Sequence, residues 1–207
     1  MKFTFEESLQ QRFACKAFTD KEIQKDDLDF ILEAGRLAPS SCGFEPWKFV
    51  VLSKKEDNEA LSKLCFNQEN VATASHNIII LARTDLQAKD EYARKQVARF
   101  CSPNVDKDKF QQVLNSYTGA TNAMNEEQLY AYANNQCHLA LMQMATAAMV
   151  KGIDSCMIGG FEKAKVDEYL RLNYPFQTAV ILSLGYRKNE PKYKKQRLKI
   201  EEVVEYR

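Results

Sequence analysis

The stretch from Glu126 to Val150 constrains the fold more than any other part of the sequence. Its pattern is helical, and leucine, methionine and alanine recur on almost every side of it, with Leu139 and Met142 as examples. A helix that is apolar nearly all round must lie in the centre of the protein or be covered by a partner. Lys151-Gly152 ends the pattern, because glycine is common just beyond a helix. The rest of the chain must therefore pack around or against this helix.

Apolar runs of strand length alternate with helical patterns along the chain. Strand patterns cover residues 47–53, 77–82, 153–158 and 178–186, and helical patterns cover residues 4–11, 24–38, 57–65, 92–100, 107–117, 126–150 and 163–172. Strands separated by helices predict an α/β or α+β fold over residues 1–207 as a single domain. A chain of 207 residues is long enough to bury a substantial core without metals or disulfides.

Two further segments have weaker patterns. Residues 84–127 are polar and lack a strand pattern, so we expect a helical and loop excursion of the kind that forms a lid or faces a partner. Residues 187–199 carry seven basic side chains and one acidic side chain. Residues 200–206 have the pattern of one more strand.

Composition excludes several classes of protein. The 29 basic and 28 acidic residues give a net charge of +1, which lacks the basic excess of a general nucleic-acid binder. The longest apolar runs, 78–82 and 179–182, are too short to span a membrane, and Met1–Glu7 does not have the pattern of a secretory signal. Six cysteines without a CxxC pair, together with two histidines, predict reduced thiols in a cytoplasmic protein and no metal site.

Two clusters near the N-terminus could bind a ligand. Arg12 and Lys16 lie four residues apart in an irregular or extended segment, where they would hold an anion or simply remain solvated. The loop Pro39-Ser-Ser-Cys-Gly43 has hydroxyls and free backbone N–H groups that would suit a polar ring or a phosphate. An ordinary loop of this composition is the alternative.

Two clusters near the C-terminus have similar alternatives. Gly159-Gly160 follows a strand, where glycine permits either close approach of a ligand or a tight turn into the next helix. Lys195 and Arg197 lie on the same side of an extended segment. They would form a single phosphate site or belong to a solvated tail.

Other chemistries lack their sequence signatures. The chain contains neither GxGxxG nor GxxxxGK[ST], so neither a Rossmann dinucleotide site nor a P-loop is predicted. It contains no GxSxG motif, and His76 and His138 have no neighbouring nucleophile in a recognisable pattern. Cys156 lies within a predicted strand, where a buried thiol behaves as a small apolar group.

Taken together, these clusters resemble the FMN-dependent NAD(P)H nitroreductase family in its oxygen-insensitive branch. The segment Gly152–Phe161 is similar to the nitroreductases of Helicobacter-type bacteria that activate nitroimidazole drugs. The resemblance covers the chain apart from residues 84–127. It is carried, in chain order, by Arg12-x-x-x-Lys16-x-Phe18, Ala38-Pro-Ser-Ser, Pro46-Trp47, Asn67, Ala74-Ser-His76, Gln136, Ile158-Gly-Gly-Phe161 and Lys195-x-Arg197.

The resemblance implies an α+β fold with a central mixed β-sheet flanked by helices, in a strand-exchanged homodimer. Two FMN sites would lie at the dimer interface, residues 126–150 would form the dimer core, and residues 198–207 would reach as an arm onto the partner subunit. NADPH or NADH would reduce the flavin through N5, and a nitroaromatic, quinone or flavin acceptor would then be reduced in a ping-pong cycle. A flavin reductase, quinone reductase or dehalogenase on the same fold, or a non-catalytic module that binds flavin or nucleic acid, remain alternatives.

The resemblance also implies roles for individual residues, and none of them is a catalytic side chain. Arg12, Lys195 and Arg197 would clamp the FMN phosphate, and Lys16 would lie by the N1/O2 edge of the flavin. A backbone N–H of Gly159 or Gly160 would donate to N5. The remaining cofactor-binding positions are Phe13, Ala14, Pro39, Ser40, Ser41, Gly43, Asn67, Asn70, Gln136, Leu139, Met157 and Ile158.

Some of these positions depart from the family pattern. Gly159 stands where many relatives have glutamate, Asn70 where many have lysine, and Ala14 where many have serine. Cys42-Gly43 replaces a threonine-asparagine pair. Because one positive charge and several hydrogen bonds are missing, we expect FMN to be held less tightly than is usual in the family.

Overall fold

The computed structural model describes residues 2–207. Within them the helices are α1 (Phe5–Gln11), α2 (Lys25–Arg36), α3 (Lys55–Leu64), α4 (Glu69–Ala72), α5 (Glu91–Ala98), α6 (Lys107–Tyr117), α7 (Gly119–Asn122), α8 (Glu126–Val150) and α9 (Lys163–Tyr169). The strands are β1 (Trp47–Leu52), β2 (His76–Arg83), β3 (Asp154–Ile158) and β4 (Phe176–Gly185). Short 3-10 helices cover Ser41–Gly43 and Ile200–Glu202.

The four strands form one sheet in the order β1-β2-β4-β3. Each neighbouring pair is antiparallel, and the β2–β4 ladder has an irregularity between Ile80 and Leu81. A parallel bridge joins Ala14 to Ser155, so the N-terminal segment adds the parallel component at the β3 edge. Helices pack on both faces, and the predicted α+β class is confirmed.

Strand β2 is buried because helices cover both of its faces. Ile78 and Ile80 belong to the core cluster that includes α2 and α8, while Ile79 and Leu81 belong to the cluster on the opposite face with α3 and α9. This explains why the strand is an unbroken apolar run in the sequence rather than an alternating one.

Helix α8 is central on one side and uncovered on the other. Ala133, Ala140 and Met144 are fully buried against the sheet and α2. Leu139 and Met142 remain 45% and 42% exposed. The pattern that is apolar nearly all round therefore supplies the core and also leaves an apolar face available to a partner.

The structure corrects two expectations. Residues 200–206 do not form a strand within the chain, because no strand of the same chain pairs with them, and only the short 3-10 helix at Ile200–Glu202 forms. The excursion at residues 84–127 contains a short helix, α7, that the sequence pattern missed. Within the described residues, no helix has the length and apolar character needed to cross a membrane.

We expect Gly35→Ala to destabilise the protein although alanine favours helix. A Cβ at Gly35 in α2 would lie 2.7 Å from the Cγ and Sδ atoms of Met144, so α2 and α8 would have to move apart. Overpacking costs about 1–3 kcal/mol, which exceeds the gain in helix propensity of about 1 kcal/mol. Urea unfolding at fixed protein concentration measures the difference. Gly119→Ala, where no atom lies within 4 Å of the new Cβ, is the matched control. Equal stability of the two variants would contradict the prediction.

Two of the six thiols should react readily with a thiol reagent at pH 8. Burial raises the pKa of Cys15 to about 11 and those of Cys65 and Cys137 to about 12, so these thiols stay protonated. Burial also raises the pKa of Cys156. The remaining two cysteines, at positions 42 and 101, are exposed and half-buried. Titration with a chromogenic disulfide should give two fast equivalents in the folded protein and six in denaturant. More than two fast equivalents would place a buried thiol at the surface.

Candidate functional site

The first candidate segment runs from Arg12 to Lys16 along the edge of the sheet. Helix α1 ends at Gln11 and Arg12 takes an extended conformation. The backbone N–H of Cys15 donates to the Ser155 carbonyl at 3.1 Å, beside the parallel bridge. Because side chains alternate along an extended segment, Cys15 is buried while Ala14 and Lys16 are exposed.

Arg12 meets Lys195 and Arg197 at a cavity of about 290 Å³. The Lys195 ammonium donates to the backbone carbonyl of Leu9. Desolvation lowers the pKa of Lys195, and the charges of Arg12 and Arg197 lower it further. Arg12 is more than 180 residues from Lys195 and Arg197 in the sequence, and the folded chain brings the three cations together.

The lining of this cavity favours an anion. Besides the three cations it consists of residues without charge, namely Ser8, Leu9, Gln10, Met142 and Thr146. None of the three cations makes an ion pair within residues 2–207. Arginine can bind a phosphate through two parallel hydrogen bonds, and lysine adds a point charge. A phosphate monoester therefore suits the donor set.

The second candidate element is the end of β3. Ile158 is buried, whereas Gly159 and Gly160 are exposed. Neither glycine has a positive φ, so no special backbone conformation requires glycine at these positions. A Cβ at Gly159 would meet no atom within 4 Å. Gly159 thus leaves open space for a flat group, whereas the Gln68 and Phe66 side chains lie 3.7–3.8 Å from the Cβ position of Gly160. Met157 lies half-buried beside the two glycines.

The turn at Phe66-Asn67 lies beside Gly160. Both residues have positive φ, 57° and 56°, and Asn67 is exposed. The neighbouring Gln68 side chain donates from Nε2 to the Gly160 carbonyl at 2.8 Å, which joins the turn to the end of β3.

Lys16 and Asn70 meet around Cys156. The Lys16 Nζ atom lies 4.0 Å from the Cys156 sulfur. Asn70 is buried, its Nδ2 donates to the Cys15 carbonyl at 3.5 Å, and its side chain offsets part of the rise in the Cys156 pKa that burial causes. In this chain Asn70 therefore joins α4 to the Arg12–Lys16 segment and to β3.

The third candidate element is the loop at Pro39–Gly43. The backbone N–H of Ser41 donates to Gln136 Oε1 on α8 at 2.9 Å, and the Ser40 hydroxyl accepts the N–H of Glu45 at 2.8 Å. Cys42 and Gly43 both have positive φ. The bond to Gln136 holds the loop on α8, the bond between Ser40 and Glu45 closes the loop on itself, and the Ser41 side chain and Pro39 remain exposed.

The predicted site residues thus fall into two groups. The cation group comprises Arg12, Phe13, Ala14, Lys16, Asn67, Asn70, Met157, Ile158, Gly159, Gly160, Lys195 and Arg197. The loop group comprises Pro39, Ser40, Ser41, Gly43, Gln136 and Leu139. Within residues 2–207, no hydrogen bond or ion pair joins one group to the other.

Sequence reasoning missed two residues that hold the cation group, Asp154 and Arg187. Asp154 is nearly fully buried and is paired with Arg187. A charged residue at the start of an apolar strand is a signal that it has a partner, because aspartate is almost never buried unpaired. The identity of that partner could not be read from the sequence.

The chain matches known proteins along most of its length. The model of the Nitroreductase family matches residues 9–186. A Staphylococcus epidermidis protein named "Putative NAD(P)H nitroreductase" is 36% identical over 219 aligned residues, which cover 100% of this chain and 98% of the relative.

Two solved structures illustrate the likeness in fold. The crystal structure of a nitroreductase family protein from Streptococcus pneumoniae matches with a TM-score of 0.82 and 32% identity, covering 99% of this chain and 100% of the other. A protein from Exiguobacterium sibiricum, solved in complex with FMN, matches with a TM-score of 0.81 and 24% identity, covering 99% of this chain and 98% of the other. At that identity the second match shows the fold alone. The family model, the full-length relative and the shared fold together establish that this chain belongs to the Nitroreductase family.

Proposed function

We propose that this protein is an FMN-dependent oxidoreductase that uses NADPH or NADH to reduce small nitroaromatic or quinone-type acceptors. The observation that carries the proposal is the cavity where Arg12, Lys195 and Arg197 meet without a carboxylate. A phosphate monoester is the anion that such a site suits, and FMN ends in one. The names of the relatives and the FMN complex of a fold neighbour support the same assignment.

The residues of the cation group suit the other parts of FMN. Lys16 would place a positive charge at the N1/O2 edge, where it stabilises negative charge. The exposed backbone at Gly159 and Gly160 would lie against the ring and offer an N–H donor to N5. Met157 and Ile158 would support the same ring, and the exposed Asn67 would contact its polar edge or the ribityl chain.

The chemistry would belong to the cofactor and the positioning to the protein. When bound, FMN supplies a ring that accepts a hydride at N5 from the nicotinamide and returns two electrons to an acceptor in a second half-reaction. The chain's own residues would bind the phosphate, keep a cation near N1 and leave one face of the ring open to both substrates.

The loop group would serve a site on a second copy of the chain. Phe5 and Leu9 on α1, and Leu139 and Met142 on α8, are apolar and exposed, as expected of a face that a partner covers. We propose a homodimer in which Pro39, Ser40, Ser41, Gly43, Gln136 and Leu139 complete the partner's site. The arm at 198–207, with exposed Leu198, Ile200 and Val203, would then pair with the partner's sheet.

Positions that depart from the family pattern support weaker cofactor retention. Ala14 is exposed and lacks a hydroxyl, and Gly159 has no side chain at the open surface. Asn70 is buried and already hydrogen-bonded to Cys15, so it brings no charge to the flavin. We expect FMN to dissociate more readily than from a relative that has serine, glutamate and lysine at these positions.

A visible absorption spectrum is the experiment that tests the proposed function. The purified protein, supplied with FMN, should show a bound flavin band that anaerobic NADPH or NADH bleaches and a nitroaromatic restores. Free flavin and a quinone, compared as acceptors in the same assay, would distinguish a flavin or quinone reductase. A protein that binds no flavin, or one whose bound flavin is not bleached, would refute the assignment.

Lys195→Ala and Arg197→Ala should each weaken FMN binding by about 1.5–3 kcal/mol, the range for hydrogen bonds to charged groups. Fluorescence titration of FMN measures the change. Lys194→Ala is the matched control, because Lys194 lies on the same segment but does not line the cavity. Equal FMN affinity of all three variants would mean that the basic segment is merely solvated.

A further inference from the structure

We propose that Arg187, held by Asp154, is a positioning residue that shapes the cation cavity and thereby controls affinity for the phosphate of the flavin rather than for its ring. This inference rests on the proposed function. Arg187 does not line the cavity itself. Its effect would pass through the segment that contains Arg12 and through the segment that contains Lys195 and Arg197.

Arg187 makes four hydrogen bonds to Asp154 from three donor atoms, which leave the side chain little freedom. Its Nε lies 3.0 and 3.1 Å from the two carboxylate oxygens, and its Nη2 lies 2.8 Å from Oδ1. Its backbone N–H also donates to Asp154 Oδ2 at 2.9 Å. The Asp154 side chain is only 5% exposed, so its carboxylate is shielded from water and several charge-assisted hydrogen bonds define its geometry. The Arg187 side chain is 22% exposed.

The Arg187 side chain also fixes the segment next to Arg12. Its guanidinium carbon lies 4.6 Å from the centre of the Phe13 ring, which places the ring within range of a cation–π contact. Phe13 directly follows Arg12 in the sequence. The position of the Phe13 ring therefore restricts where the Arg12 backbone can lie relative to the cavity.

The Arg187 backbone fixes the other end of the same segment. An antiparallel bridge joins Phe18 to Arg187, and the N–H of Lys188 donates to the Ala17 carbonyl at 3.0 Å. Together with the Phe13 contact, these bonds hold the Arg12–Phe18 segment at both ends. Asp154 binds Arg187 from β3, the strand against which Ala14 forms its bridge.

Arg187 and Lys188 are also the last residues with backbone contacts to the sheet region before the C-terminal cations, and Arg187 Nη1 binds Glu190 Oε2 just beyond them at 2.9 Å. Beyond Lys188, no backbone N–H of residues 189–199 donates to a backbone carbonyl within the described chain. The segment that contains Lys195 and Arg197 therefore starts from the same ion pair that fixes Arg12. This common anchor ties the start of the C-terminal segment to the segment that carries Arg12.

An anchor is needed because the three cations repel one another. Loss of charge or hydrogen bonds at Arg187 would let the segment with Arg12 separate from the segment with Lys195 and Arg197. The affinity for the phosphate dianion would then fall more than the affinity for the ring, which would lie along β3.

FMN and riboflavin share the ring and the ribityl chain and differ only in the phosphate. The ratio of their affinities therefore reports on the cavity and not on general stability.

The test compares Arg187→Lys with wild-type protein by titrating FMN and riboflavin separately. Lysine keeps a charge for Asp154 but loses the paired hydrogen bonds and the planar group over Phe13. We expect FMN affinity to fall about tenfold, the equivalent of about 1.4 kcal/mol. Riboflavin affinity should stay within about twofold, because the Cys15–Ser155 hydrogen bond and the Ala14–Ser155 bridge hold the backbone beside Lys16 on β3 independently of Arg187.

Arg83→Lys is the matched control. Arg83 is likewise half-buried, binds Asp85 through two hydrogen bonds of 2.7 and 2.6 Å, and stacks on the Tyr92 ring. Arg83 lies at the opposite end of the sheet from Arg187. Arg83 pairs with Phe176, the first residue of β4, whereas Arg187 comes after Gly185, the last residue of β4. The control should leave the FMN-to-riboflavin affinity ratio unchanged.

Each outcome decides a separate question. If Arg187→Lys does not fold, the double variant Asp154→Asn, Arg187→Gln replaces it, because it leaves no buried charge unpaired.

A wild-type protein that binds neither flavin would overturn the proposed function and this inference with it. A wild-type protein that prefers FMN, with the same preference in the Arg187 variant, would overturn only the inference. So would a variant that loses both flavins equally.

Discussion

The pairing of β2 with β4 is the interaction on which the rest of the structure depends. It joins His76 to Leu184 across more than 100 residues of sequence and places both strands in the middle of the sheet. Helices can then cover both faces, with α8 on one and α3 and α9 on the other. Because β4 ends next to β3, the chain leaves the sheet beside the Arg12–Phe18 segment. Cations from the two ends of the sequence meet there for that reason.

Much of this fold could be predicted from local patterns. Ile78–Leu81 is apolar without interruption because it is buried on both faces, and Glu126–Val150 is recognisable because one helix serves both the core and an exposed face. The pattern at residues 200–206 predicts one more strand, whereas within the described chain only the short 3-10 helix at Ile200–Glu202 forms there. Their composition suits a strand, but pairing depends on a neighbour that local sequence does not reveal.

The family pattern predicts which residues line the candidate site. It does not predict the roles of residues that depend on contacts between elements far apart in the sequence. Arg12, Lys195 and Arg197 meet as expected. The burial of Asn70 and the role of Gln136 in holding Ser41 depend on contacts between distant elements. The ion pair between Asp154 and Arg187 links residues 33 positions apart, and nothing in either local pattern specifies the partner.

The lack of backbone–backbone hydrogen bonds at residues 189–198 has a thermodynamic consequence for the cation cavity. Two of its three cations sit on a segment that the sheet does not hold, so an anion that binds there must also bear the entropy of ordering that segment. Binding of an anion in the cavity would then order this segment, and the protection of its backbone amides from hydrogen exchange would rise with the occupancy of the cavity. The C-terminal part of the chain would thus be structured by the ligand as much as by the fold.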